Sequence, residues 1–299
     1  MPDWTASDHG VDWWLELERG LLLPGRLVTG QVRIVVDRAI GARRLVVSLS
    51  ATEHWKHRVT TTDAHRNTST HVVTSHDDVI TVPVIVAEPV ELDPGGTLER
   101  EFELPVPPLG PASLEAEVAG LEWKVRAHLD IEGGFDSDIE RPVQVAQPTG
   151  LLRVGAVRVG AFGLYEAADV EAGEVTGSVA LEPMPLVCGE PFHGSVTIRP
   201  ARVGRLQEIR AELRLAVQAT VSEGEREEIT VWAGRLSDAV QLSGERRFEI
   251  DGRLSPTALP TIELPHGRTD ATFHVVLAKA WARDAHLVRD VAIATTREM

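Results

Sequence analysis

Five histidines crowd one short stretch of this chain: His54, His57, His65, His71 and His76. Neutral imidazole is a common ligand for zinc or nickel, so two or three of them on a hairpin could hold a metal and serve hydrolysis. The spacing argues against it. His54 and His57 are three apart, and side chains three apart on a strand point to opposite faces. No cysteine is near, and Asp63, Asp77 and Asp78 are ordinary loop acids. The stretch reads first as a solvated polar hairpin, with metal binding as the alternative. Cys188 is the only cysteine, so no intrachain disulfide can form, and a lone thiol of this kind reads as a small core residue. Gly25-x-x-x-x-Gly30 has the outline of a phosphate loop, but Gln31-Val32 and a strand follow it, so it is a turn. Ser178 and Ser195 sit in alternating strands and no Gly-x-Ser-x-Gly elbow occurs. Glu225, Glu227 and Glu228 form an acidic hairpin tip. No catalytic residue and no cofactor follow from these groups.

The elements that would position such groups are strands. The chain has 25 glycines and 18 prolines, which cut it into pieces too short for many helices. Within the pieces apolar residues alternate. Val32, Ile34 and Val36 share one face, as do Leu45, Val47, Leu49 and Ala51. Leu206, Ile209 and Leu213 fit a helical stripe, but alternation from Ile209 to Val221 explains more positions and predicts strand. Around Ala278 to Val291 the alanines favour a short helix, while Phe273, Val275 and Leu277 alternate into the segment. Pro24-Gly25 and Pro94-Gly95 suit type II turns, proline presetting one φ and glycine accepting a positive one.

Three of the seven tryptophans, Trp4, Trp13 and Trp14, lie in the first 14 residues. On a strand from Asp12 to Glu18, Trp13 joins Leu15 and Leu17 on the core face and Trp14 joins Glu16 and Glu18. Trp14, with Trp4, is the protein-binding candidate, since exposed tryptophan is enriched at interfaces. The alternative is that Trp14 packs under Trp4.

The second half repeats the first. At an offset of 164, Gly25 falls on Gly189, Gly30 on Gly194, Val32 on Val196 and Ile34 on Ile198. Near 146, Phe102 meets Phe248 and Leu104 meets Ile250. At 150, Trp123 meets Phe273, and at 148, Val143 meets Val291. The first copy therefore holds extra residues, around Lys56 to Asp78, that read as a long hairpin or loop. A length of 299 residues suits two domains. The break near Pro148 to Gly150 divides them as 1–148 and 149–299. The fold class is all-β, two tandem β-sandwiches.

At this point the residues resemble a known family. Pro24-Gly25 to Gly30-Gln31-Val32, the strand ending at Trp55, Pro94-Gly95, Phe102-Glu103-Leu104-Pro105, Ser113, Gly120 and Trp123-Lys124-Val125-Arg126-Ala127 are similar to the arrestin domain in order and spacing. The resemblance covers nearly all of the first domain and, more weakly, the second. It implies immunoglobulin-like sandwiches in an elongated arrestin-like clasp with concave faces. It also implies kinship with receptor arrestins, retromer subunits of the 26 type and bacterial sporulation-control proteins, which are mostly non-enzymatic scaffolds or regulators. Fold alone does not transfer a partner. The Pro-Pro-x-Tyr motif of ligase-recruiting relatives is missing: Leu109-Gly110 follows Pro107-Pro108, and the only tyrosine is Tyr165. Arg126, Asp130, Asp136 and Asp138 fall where receptor arrestins suggest a buried charge network, yet they also read as outward strand and turn charges. Few lysines among many arginines point to a GC-rich bacterial source.

The reading that follows is a non-enzymatic cytoplasmic scaffold, adaptor or regulator. It binds a protein partner by strand addition at a sandwich edge or on the concave interdomain surface, with homo-oligomerisation by edge pairing as a variant. The net charge of −15 disfavours nucleic acid and anionic lipid. No apolar stretch approaches the roughly 20 residues of a membrane helix. No signal peptide is expected, hence the cytoplasm. The alternatives are a metal-binding or hydrolytic protein using the histidines of 54–78, and a secreted adhesion or carbohydrate-binding sandwich.

Overall fold

The computed structural model describes residues 4–63, 66–152, 168–172, 175–200, 203–279 and 284–298. Their regular structure is strand apart from one 3-10 turn at Thr149–Leu151, as the alternation requires. Two compact units emerge. The first comprises 1–54, 75–115 and 120–146, and the second 55–74, 116–119 and 147–299.

Ten strands belong to the first half of the chain: β1 (Trp4–Asp8), β2 (Val11–Leu17), β3 (Leu21–Leu22), β4 (Leu27–Val36), β5 (Ile40–Thr62), β6 (Thr68–Ala87), β7 (Val90–Leu92), β8 (Thr97–Pro105), β9 (Ala119–Ile131) and β10 (Ser137–Val145). One sheet runs β1-β2-β4-β8. The other runs β3-β10-β9-β5-β6, with β7 also on β5. The second half supplies β11 (Ala168–Ala172), β12 (Val175–Glu182), β13 (Leu186–Val187), β14 (Pro191–Pro200), β15 (Gly204–Leu206), β16 (Glu208–Ala219), β17 (Arg226–Ser237), β18 (Val240–Leu242), β19 (Arg246–Arg253), β20 (Gly267–Ala278), β21 (Ala285–Val291) and β22 (Ile293–Ala294). Its sheets are β11-β12-β14-β19 and β17-β16-β20-β21, with the small pairs β13-β22 and β15-β18. The stretch after Phe273 is strand through Ala278 and again from Ala285, so the helical alternative there fails on the described residues.

Alternation puts one face of each long strand in a core. Val11, Trp13, Leu15 and Leu17 are buried on β2, as are Val32, Ile34 and Val36 on β4 and Leu45, Val47, Leu49 and Ala51 on β5. Burying such side chains contributes about 1.5–3 kcal/mol each before entropy is counted. The indole of Trp13 donates to Ser137 Oγ at 2.9 Å, and Ser137 donates on to the Asp8 carbonyl at 2.9 Å. That relay joins β2 to the opposite sheet and satisfies the one polar atom of a fully buried ring. Trp123 Nε1 finds the Pro111 carbonyl at 3.1 Å for the same reason.

The repeat holds strand for strand, with one correction. β4 and β14 match at an offset of 164 over their whole length. For the later strands register fixes 148: Gly30 pairs with Phe102, and Gly194 with Ile250. Val143 pairs with Trp123, and Val291 with Ala271. Phe102 therefore corresponds to Ile250, not Phe248, and Trp123 to Ala271, not Phe273. Both slips are by two residues. A shift of two keeps every side chain on its own face, so apolar alternation cannot detect it. The turns repeat as well. Gly25 and Gly189 both have φ near +77°, and the Arg26 and Glu190 amides close them on the Leu23 and Val187 carbonyls at 3.1 Å.

The extra residues of the first copy form a hairpin of two long strands, β5 and β6. Its distal part, 55–74, belongs to the second unit. There Trp55 stacks on His266 with ring centroids 3.9 Å apart, Arg58 N donates to the Glu223 carbonyl at 2.9 Å, and Lys56 pairs with Glu117 at 2.7 Å. On the outer side of β16, Glu212 is held by Arg210 at 2.7 Å and by Arg214 at 2.6 Å. Partial burial works against its charge. The hydrogen bonds and charges of the two arginines together outweigh that and hold its carboxyl below the usual range.

Two outcomes follow. Trp13→Ala should destabilise by about 3–5 kcal/mol, while Trp14→Ala costs about 1 kcal/mol or less, as read by urea denaturation. Glu212→Gln should lower stability at neutral pH by about 1 kcal/mol. Because the folded carboxyl is depressed, its contribution is present above the unfolded pKa and fades as pH falls through the folded one. Melting curves of Glu212→Gln and wild type should therefore converge in acid.

Candidate functional site

The tryptophans resolve by register. Trp13 pairs with Ile34 and is wholly buried, whereas Trp14 pairs with Thr5 and Arg33 and points out of the sheet. Trp4 pairs with Leu15, on the core-facing side of the edge strand β1, and is 43% exposed. Facing partners in a sheet share a face, so Trp4 and Trp14 lie on opposite faces. Trp14 does not pack under Trp4. Its cover is Arg33, whose guanidinium carbon lies 5.1 Å from the ring centroid, a cation–π arrangement.

Around Trp14 three cross-strand rows face outward. Trp14, Arg33 and Glu99 form the first, Glu16, Gln31 and Glu101 the second, and Glu18, Thr29 and Glu103 the third. Gln31 donates to Glu99 at 2.9 Å and Thr29 donates to Glu18. An open depression of about 430 Å³ lies over Thr29, Gly30 and Gln31, walled by Glu16 and Glu18 on one side and Glu101 and Glu103 on the other. A smaller one, about 170 Å³, adjoins it at Glu16 and Gln31 and reaches Trp14, Arg33 and Glu99. Reasoning from sequence missed β8's part in this face. The alternation of Glu99, Glu101 and Glu103 was the available signal.

The histidines do not converge. His54 and His76 meet with ring centroids 6.1 Å apart, and His54 lies against the backbone of Gly120. His57 belongs to the distal hairpin, and its Nδ1 is buried without a partner. His71 contacts the Ser69 hydroxyl at 3.0 Å. His65 lies outside the described residues, as does Tyr165. Among the described residues no three His, Cys, Asp or Glu side chains are grouped to hold a metal ion. Arg126 pairs with Asp138 at 3.2 Å, and Asp130 with Arg43 and Arg44 at 3.3 Å. Arg126 is half-exposed, so its pair with Asp138 is an outward strand pair.

Cys188 donates its thiol to the Ala258 carbonyl at 3.1 Å, and burial pushes its pKa up to about 11. The thiolate is the nucleophile, so this thiol is quiet at neutral pH. At pH 8 a thiol reagent should label Cys188 about a hundredfold more slowly in the folded protein than in denaturant, a ratio set by the thiolate fractions.

Residues 14–151 match the family model described as Arrestin (or S-antigen), N-terminal domain. No curated protein matches the chain. The match begins within β2 and runs past β10, so it covers the outward Trp14 face but not the edge strand β1. Over these residues the chain is similar to the arrestin N-terminal domain.

Proposed function

We propose that this protein is a non-enzymatic scaffold or adaptor that binds a protein partner, built from two repeat copies, 1–148 and 149–299. The arrestin-type N-terminal domain at 14–151 is the observation that carries it. Arrestin-like domains work in general as adaptors, by surface and not by turnover. The reading extends to a cytoplasmic regulator of the bacterial sporulation-control kind.

The edges of the first unit favour one route for strand addition. A sheet edge invites pairing unless it is short, charged or interrupted by proline. β3 has two residues. β8 carries Glu99, Arg100, Glu101 and Glu103, all exposed. β6 carries Asp77 and Asp78 and is interrupted by Pro83, which has no N–H to offer. β1, Trp4–Asp8, has none of these devices before Asp8, and it presents Trp4. A partner strand would add to β1 and cover Trp4, with Trp14 as a second contact. A second copy of the chain pairing there is the self-associating form.

Photo-crosslinking tests this directly. A crosslinkable residue at Trp4 or Trp14 should trap one defined partner in native cells, and the same residue at exposed Ile85 on β6 should not. Equal yields at all three positions, or no partner together with substrate turnover by the pure protein, would overturn the reading.

A further inference from the structure

The outer face of β2, β4 and β8 is left electrically unbalanced. Five glutamates, Glu16, Glu18, Glu99, Glu101 and Glu103, share it with one cation, Arg33. The carboxylates of Glu16, Glu101 and Glu103 have neither hydrogen bond nor ion pair among the described residues. The fold does not demand this. The equivalent face of the second unit has serine and alanine, Ser178 and Ala180, where the first has Trp14 and Glu16. Two of its acids there are paired, Asp251 with His193 at 2.6 Å and Glu249 with Arg247 at 2.8 Å, and Glu182 stands beside them. The two copies share a skeleton, and at the matching described positions the first places an aromatic ring beside its unpaired carboxylates and an open depression where the second has Ser178 and Ala180.

We propose that this face is a docking groove for an extended, lysine- or arginine-rich segment of a partner protein. The inference rests on the adaptor reading above and names the chemistry of one partner segment. Its geometry fits such a segment. Strands lie about 4.8 Å apart, so the glutamates of β2 and β8, two strands apart, form walls about 10 Å from each other, room for one extended chain. Alternate residues along β8 recur about every 6.8 Å, the spacing of side chains i and i+2 in an extended peptide. Basic side chains at alternate positions therefore meet Glu99, Glu101 and Glu103 in step. The floor, Thr29, Gly30 and Gln31, is uncharged. At the groove's end Trp14 already holds a guanidinium against its ring, that of Arg33, so the ring is placed to receive a cationic side chain.

The test uses the full chain and a short fluorescein-labelled peptide alternating arginine and threonine, followed by anisotropy. A peptide alternating glutamate and threonine is the blank. Glu101→Lys with Glu103→Lys should weaken binding at least about tenfold. A charge-matched control on exposed residues elsewhere, Glu88→Lys with Glu132→Lys, should change it less than about twofold. Trp14→Ala should weaken it severalfold, and Arg33→Gln should tighten it by removing the competing cation. All these positions lie at the surface, and melting curves confirm that each variant is folded. Equal weakening by the two double variants would mean that the chain's overall acidity attracts the peptide, and it would overturn the groove, as would no binding at all. Wild-type peptide binding by Glu101→Lys/Glu103→Lys, alongside specific crosslinks at Trp4, would sink the groove and leave the adaptor reading standing.

Discussion

A buried arginine crosses the core of each unit, and the geometry of the facing sheets depends on it. Arg141 on β10 donates to the Leu15 carbonyl on β2, and Arg289 on β21 donates to the Val179 carbonyl on β12. The donors correspond at an offset of 148 and the acceptors at 164, so this is one interaction kept in both copies. Each arginine is over nine-tenths buried. Removing a guanidinium from water is costly, and burial lowers the pKa of Arg289. What it provides is a polar tie between two sheets that apolar packing alone would let slide. With that tie and the Trp13–Ser137 relay, the first unit's strands cannot slip by one residue without turning their cores outward.

That constraint explains how the copies diverge. Positions facing the core are held to apolar residues by packing, so Val32 and Ile34 recur as Val196 and Ile198. Positions facing out are held only by solubility and function. The outer rows of the first unit are acidic and carry Trp14, while those of the second hold serine and alanine at the matching places and pair Asp251 with His193 and Glu249 with Arg247. The core positions differ in size between the copies, as Trp123 against Ala271 shows, but stay apolar, whereas the outer positions differ in charge and chemistry, where binding specificity is set.

The long hairpin shows the same division of labour. β5 is a core strand from Ile40 to Glu53, and beyond it the strand continues with half-buried and exposed residues. Its distal part is tied by main-chain bonds to Val118 and Glu223 and by the stack of Trp55 on His266. The threonines of the hairpin pair across its surface: Thr60 meets Thr70 at 3.1 Å and Thr61 meets Ser69 at 3.0 Å.

Strand class, the inward placing of Trp13 and the outward placing of Trp14, the turn at Pro24-Gly25 and the existence of the repeat were legible in the chain. Each rests on local chemistry: period-two alternation, a preset φ, a glycine that accepts a positive one. Three things were not legible. The offset of the later strands stayed ambiguous by two residues, because alternation is blind to that shift, and only the cross-strand pairs of Phe102 and Trp123 settled it. Trp14's cover was Arg33 and not Trp4, because which residues face each other depends on register between strands distant in sequence. The acidic groove needed Glu16 and Glu18 to meet Glu101 and Glu103 across β4. The sequence by itself determined which side of each strand faces the core, since one dimension of pattern suffices for that. Only the tertiary structure decided which outward side chains become neighbours, because strand order and register are set by long-range pairing that no local pattern encodes.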